Sequence, residues 1–316
     1  MPITQRRVPT NGIELNIAEC GSGPLVLLLH GFPESWYSWR HQLEPLADAG
    51  FHVVAPDMRG YGKSDRPPEI AAYNQVEVMA DIRGLVPALG AEQAVVIGHD
   101  WGAPTAWGCA VHHADVFTAV GALSVPFTPR SPVQPMPMMR ELFKDQFFYQ
   151  LYFFEPGVAE AEFEADVRTA LKKFLVLGAG NEEAAAAMLA KGPQDDLLSG
   201  LPDPEVLPAW LTDGDLDFYA AEFTRSGFSG PLNYYRNHDL TWELTEGASD
   251  RVTQPALFAA GDQDGVILMA AEALKNMPNH VPNLRVNELI PGVGHWTQQE
   301  APDAVNELLI GFLKGL

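Results

Sequence analysis

Five residues, Gly98-His99-Asp100-Trp101-Gly102, place an ionisable side chain at the tip of a tight turn. The apolar run Ala94-Val95-Val96-Ile97 precedes them, and the small-residue segment Gly102-Ala103-Pro104-Thr105-Ala106 follows. The pattern reads strand, sharp turn, helix. Small residues flank the tip because side chains there would collide with neighbouring backbone. Turns of this kind usually present a serine; here the tip is aspartate. A carboxylate is ionised at neutral pH and needs no base for its first attack. Acyl transfer to it gives a labile anhydride, so amides and esters are poor targets. Displacement at a saturated carbon gives an ordinary ester that water can hydrolyse. Asp100 as nucleophile therefore implies an alkyl electrophile, a strained epoxide or an alkyl halide. The competing reading is an aspartate that caps the following helix.

Three other segments could complete such a site. His30-Gly31-Phe32-Pro33 follows the apolar run Leu25 to Leu29. An oxyanion hole would combine the N–H groups of Phe32 and Trp101; an ordinary glycine-proline turn is the plainer alternative. Gly292-Val293-Gly294-His295-Trp296 puts a histidine on a glycine-rich loop near the C-terminus, where a neutral imidazole could deprotonate water. Its alternative is a surface histidine, one of nine. Gly261-Asp262-Gln263-Asp264-Gly265 offers two acids; Asp264 is taken as the partner of His295 and Asp262 as a turn former. Ser124-Val125-Pro126-Phe127 contains no acid. Asp57 to Ser64, another strand-end loop, reads as mainly structural.

These residues need a scaffold that alternates strands and helices. Strand-like stretches are Ile13 to Ala18, Leu25 to Leu29, Val53 to Ala55, Ala94 to Ile97, Ala119 to Val125, Ala256 to Ala260 and Leu284 to Leu289. Helical spacing covers Trp36 to Ala49, Val76 to Leu89, Leu268 to Lys275 and Ala304 to Leu313. Repeated β-α units imply a parallel sheet with helices on both faces. From about Thr128 to Asp250 strand-like runs vanish. Prolines crowd Pro129 to Pro137, then helical stretches such as Glu182 to Lys191 and Leu216 to Arg225 follow. The domain expectation is a core of residues 1–128 and 251–316, with an all-helical lid over 129–250 covering the strand ends where ligands bind.

At 316 residues, with 47% apolar and 19% charged side chains, the chain is globular and can bury a large core. The net charge of −21 argues against nucleic acid and anionic membranes. Residues 150–250 hold 19 acids against 6 bases, read as a solvated surface. Cys20 and Cys109 have no metal-type spacing, and reduced buried thiols in a cytoplasmic protein are expected. Met1 to Asn11 carries two arginines with no apolar run behind them, so neither a signal peptide nor a membrane span is expected.

Taken together, the chain resembles a soluble epoxide hydrolase of the α/β-hydrolase superfamily. The resemblance rests on His30-Gly31-Phe32-Pro33-Glu34-Ser35-Trp36, Gly98-His99-Asp100-Trp101-Gly102, Tyr149-Gln150-Leu151-Tyr152-Phe153 with Glu155-Pro156-Gly157, Gly230-Pro231-Leu232-Asn233 before Tyr234-Tyr235-Arg236-Asn237, and Gly294-His295-Trp296. They span nearly the whole chain in the family's order of nucleophile, acid, histidine. The resemblance implies that Tyr149 and Tyr235 point at the epoxide oxygen and that the Phe32–Pro33 bond is cis. Phe154 and Gly265 depart from common family choices. No amino-terminal phosphatase domain of the mammalian kind is expected.

The implied mechanism has Asp100 open the ring while Tyr149 and Tyr235 hydrogen-bond its oxygen. His295, oriented by Asp264, then activates water against the ester, and a vicinal diol leaves. No cofactor or metal is expected. The expected partners are a small apolar epoxide and water, and a homodimer is the assembly allowed for. A haloalkane dehalogenase shares the aspartate, but halide needs no proton to leave, and those relatives lack the tyrosine pair. A non-catalytic receptor on the same fold is the third reading.

Overall fold

The computed structural model describes residues 2–316. Eight strands form one sheet: β1 (Thr4–Thr10), β2 (Ile13–Gly21), β3 (Leu25–Leu29), β4 (His52–Pro56), β5 (Ala94–His99), β6 (Phe117–Leu123), β7 (Ala256–Gly261) and β8 (Leu284–Ile290). Their spatial order is β1-β2-β4-β3-β5-β6-β7-β8. β1 and β2 pair antiparallel with their neighbours, and β3 to β8 run parallel. The chain steps from β3 outward to β4 and then returns to the far side of β3 for β5. This reversal opens a crevice at the carboxyl ends of β3 and β5, the place where open α/β sheets bind ligands.

Core helices are α1 (Arg40–Asp48), α2 (Gln75–Ala88) and α3 (Gly102–His112). Between β6 and β7 lie only helices: α4 (Pro135–Leu142), α5 (Tyr149–Phe154), α6 (Val158–Ala165), α7 (Val167–Gly178), α8 (Glu182–Leu189), α9 (Asp213–Ser226), α10 (Ser229–Arg236) and α11 (His238–Leu244). α12 (Gly265–Met269), α13 (Ala271–His280), α14 (Thr297–Glu300) and α15 (Pro302–Lys314) complete the core. Strand β3 shows why both sheet faces must be covered. Its five residues are wholly apolar and buried. Leu25, Leu27 and Leu29 pack with α2 and α3, and Val26 and Leu28 with α1 and α15. No helix among the described residues is long and apolar enough to cross a membrane.

Several element bounds differ from the sequence expectation. β1 was not anticipated: TQRRVPT is an edge strand with five exposed or half-buried residues and no clear apolar alternation. The segment read as one helix from Trp36 divides into a 3-10 turn, Trp36–Trp39, and α1. Leu268 to Lys275 spans two helices that break at Ala270. β6 stops at Leu123 because Ser124 takes φ +69°, outside strand geometry.

Candidate active site

Asp100 sits where the turn from β5 into α3 leaves least room. Its φ is +50°, an unfavourable region for a residue with a Cβ. The turn closes so tightly that a Cβ on Gly98 would lie 1.9 Å from Gly102 O, and one on Gly102 would lie 2.1 Å from Leu29 O. The Phe32 N–H donates to Asp100 Oδ1 at 2.7 Å. Gly31 makes that approach possible, since a Cβ there would lie 2.2 Å from the same oxygen. Phe32–Pro33 is cis, as the resemblance implied. Trp101 immediately precedes α3, so its N–H stands among the helix-start donors that lack an intrahelical partner; it makes no hydrogen bond to the Asp100 carboxylate. His30 is buried and holds the loop: its Nδ1 donates to Gly31 O at 2.9 Å, and its Nε2 accepts the Met58 N–H at 2.9 Å.

His295 lies between two carboxylates. Its Nε2 is 3.5 Å from Asp100 Oδ2, and its Nδ1 is 3.1 Å from both Asp264 oxygens. Asp264 is fully buried and also accepts the Val266 N–H, which starts α12. Asp262 instead accepts the Gly292 N–H, a turn contact at the surface. Burial opposes charge on His295, but Asp264 and Asp100 overcome it and hold the imidazole pKa well above its usual value. The two carboxylates therefore favour the protonated ring in the free site. Burial likewise works to raise Asp100, yet His295, His99 and the Phe32 N–H leave its pKa below the usual carboxylate value.

The sequence did not reveal what holds the His295 loop. His99 Nε2 donates to the His295 carbonyl at 2.7 Å, and Ser124 Oγ donates to the same oxygen at 2.9 Å. His99 Nδ1 meets Glu34 Oε2 at 2.8 Å. Glu34, fully buried, also accepts the Gly31 N–H and the side-chain amides of Gln298 and Gln299. Glu300 accepts the N–H groups of Gly294 and Trp296, one on each side of His295. Asp57 is structural, as read: it accepts from Asn16, Trp36 and Lys63.

A cavity of about 420 Å³ opens on Asp100 and is lined by Tyr149 and Tyr235 as well. Tyr149 starts α5 and Tyr235 lies on α10, with ring centres 6.1 Å apart. The neighbouring tyrosines are engaged elsewhere: Tyr152 donates to Glu162, and Tyr234 donates to Arg59 O. The Tyr149 hydroxyl accepts from Gln150 Nε2 at 3.1 Å and, like that of Tyr235, has no protein acceptor among the described residues. Burial, with the Asp100 charge adding to it, pushes both phenols above their usual pKa and keeps them protonated.

Residues 24–302 match the family model described as alpha/beta hydrolase fold. Epoxide hydrolase A of Mycobacterium tuberculosis is 47% identical over 99% of this chain and 98% of its own length. Among solved structures, an epoxide hydrolase from an endophytic Streptomyces superposes with a TM-score of 0.95 at 46% identity, over 99% of this chain and 96% of that one. Epoxide hydrolase A from Mycobacterium thermoresistibile gives 0.94 at 47% identity, over 100% and 99%. The chain belongs to the α/β-hydrolase-fold family and, within it, to the epoxide hydrolases.

Proposed function

We propose that the enzyme converts epoxides to vicinal diols through an alkyl ester on Asp100. The observation that carries this reading is the His295 ring, within reach of both Asp100 and Asp264, beside a carboxylate oxygen held by the Phe32 N–H. Asp100 Oδ2 attacks a ring carbon, and the C–O bond to the ring oxygen breaks. Tyr149 or Tyr235 gives that oxygen a proton, because an alkoxide is a very poor leaving group. Esterification removes the negative charge of Asp100. His295 then loses one of the two carboxylates that stabilise its proton, and its pKa falls. The proton it releases balances the one consumed at the substrate, and the phenol is restored.

The neutral imidazole takes a proton from water, which adds to the Asp100 carbonyl carbon. The Phe32 N–H, with that of Trp101 as second donor, stabilises the oxyanion. Collapse breaks the ester bond; His295 gives its proton to the departing alkoxide and regains one from the new Asp100 carboxyl group, so the diol leaves and one oxygen from water stays on Asp100. The helical residues 129–250 act as a lid that carries the proton donors and excludes bulk water. The pair of phenols without a protein acceptor favours an epoxide over an alkyl halide.

A single turnover in heavy-oxygen water tests the scheme. The first diol should carry light oxygen taken from Asp100. Heavy oxygen in that first product means direct hydration and overturns the ester.

A further inference from the structure

Part of the cavity wall is polar, and the hydrolysis scheme leaves it unused. α2 and α11 meet there, where the Gln75 N–H donates to Thr241 Oγ1 at 3.1 Å. His238 starts α11 three residues before Thr241, so the two share a helix face. Gln75 and His238 both line the cavity above Asp100. The Trp101 ring, next to the nucleophile in sequence, is bordered by Tyr235 at 5.0 Å and by His238 at 5.4 Å. This wall therefore lies one indole away from a proton donor.

Neither side chain is satisfied by the protein. Gln75 Nε2 and His238 Nε2 are buried and have no hydrogen-bond partner among the described residues. Thr105 Oγ1 lies 2.8 Å from Gln75 Oε1 and 3.0 Å from the Trp101 carbonyl. Its one proton can go to Oε1, which leaves the amide NH2 over. If it goes to the carbonyl, the amide turns to donate to Thr105, and its own oxygen is left over. Either way, one end of the amide lacks a partner. A buried polar group without a partner costs as much as the hydrogen bond it fails to make. An apolar side chain at either position would avoid that cost.

His238 is neutral. Burial pushes its pKa down to about 4, and Asp239, the acid that opposes this, accepts the Met136 N–H instead. A neutral imidazole offers one donor and one acceptor, and a carboxamide offers both as well. A hydroxyl matches that pair. A carboxylate would need a cation here and an ammonium an acid, and the pair supplies neither.

We propose that Gln75 and His238 form a hydrogen-bonding subsite for a hydroxyl on the substrate, so that the enzyme favours epoxy alcohols over plain hydrocarbon epoxides. The proposal rests on the epoxide-hydrolysis reading and refines its small apolar substrate. The subsite positions the hydroxyl beyond the Trp101 ring and thereby orients the epoxide carbons toward Asp100.

The test compares a six-carbon terminal epoxide bearing a hydroxyl on the carbon farthest from the ring, a reach that matches a subsite beyond the Trp101 indole, and the same epoxide with hydrogen in place of the hydroxyl. The intact enzyme should show higher kcat/KM for the alcohol. Gln75→Leu and His238→Leu should each reduce that preference by about 5-fold to 10-fold, the worth of one neutral hydrogen bond. Turnover of the deoxy epoxide should hold in both variants, which also shows that they fold. A preference that both variants keep, or no preference in the intact enzyme, overturns the subsite. No diol from either compound would instead overturn the hydrolysis reading. Binding of 1-hexanol by calorimetry then still decides the subsite: both variants should weaken it several-fold, and equal binding refutes it.

Discussion

The two halves of the site are held in different ways. Around Asp100 close approach leaves little freedom: a Cβ on Gly98 or Gly102 would lie 1.9 or 2.1 Å from a backbone oxygen, one on Gly31 would lie 2.2 Å from the Asp100 carboxylate, and φ at Asp100 is +50°. Around Tyr149 and Tyr235 the restraint is side-chain packing. Tyr235 meets Phe32, Phe153 and Trp101 edge-on, and Tyr149 meets Phe153. Close backbone contact fixes a nucleophile to fractions of an ångström, whereas ring packing tolerates adjustment when a neighbour changes. The core half should therefore fail sharply when altered, and the helical half by degrees.

His295→Gln should give the largest effect of any single substitution and break the cycle at one step only. Ring opening continues, because Asp100 and the phenols are intact. Ester hydrolysis slows about 10⁴-fold, the upper range for loss of a general base. Intact-protein mass spectrometry should then show one added epoxide mass. A variant that stays unmodified would mean that His295 serves ring opening as well, and the division into halves would fail.

Tyr149→Phe and Tyr235→Phe should each slow ring opening about 10²-fold, with ester hydrolysis unchanged. Pre-steady-state fluorescence separates the two steps. Two phenols act on one oxygen and each can partly replace the other, so the losses should be coupled: the double variant should lose more than the product of the two single losses, more than about 10⁴-fold. Equal turnover in the double variant would remove the tyrosines from the chemistry.

The same contrast explains what the sequence disclosed. Asp100, His30 to Pro33 and His295 were legible because a tight backbone demands small residues at fixed offsets, and those offsets are local. The parallel sheet was legible because strands such as Leu25 to Leu29 are apolar throughout. Tyr149 could not be told from Tyr152 by pattern, since both stand in a run of aromatic residues. What separates them is Glu162, which takes the Tyr152 proton, and Arg59 O separates Tyr234 from Tyr235 in the same way. Glu34 was equally opaque: its partner His99 lies 65 residues away, and its amide donors lie more than 260 away. Tertiary pairing writes no local signature, and only the family resemblance bridged it for the tyrosines.

Glu160→Gln probes the helical half from behind. Arg236 follows Tyr235 and its side chain is nearly fully buried; it reaches both Glu160 oxygens at 2.8 and 2.9 Å and the Phe153 carbonyl at 3.1 Å. Removing one partner of a buried pair costs about 3–5 kcal/mol. The remaining bonds of Arg236 place the expected loss at the lower end, read as a reduced melting temperature. Tyr235 and Phe153 flank this contact, so ring opening should slow by only about 10-fold, an effect on positioning alone. A loss as large as that of Tyr235→Phe would show that the helical half is as rigid as the core.

The smallest effect separates the halves by pH. His295 has a folded pKa above its unfolded value of about 6.5. Its contribution to stability is complete below about pH 6.5 and is lost as pH rises through the folded value. Glu160 has a lowered pKa, so the stability it brings is present above about pH 4.5 and lost only in acid. Of these groups, only His295 loses stability between about pH 6.5 and 9, since the raised phenols of the helical half act only above about pH 10. Melting temperatures of the intact enzyme and His295→Gln, measured from about pH 6 to 9, should converge as pH rises. A relative shift of about 2 °C corresponds to roughly 1 kcal/mol in a chain of this size. Parallel curves would mean that the proton on His295 is not held by Asp100 and Asp264 together, and that forming the ester could not release it.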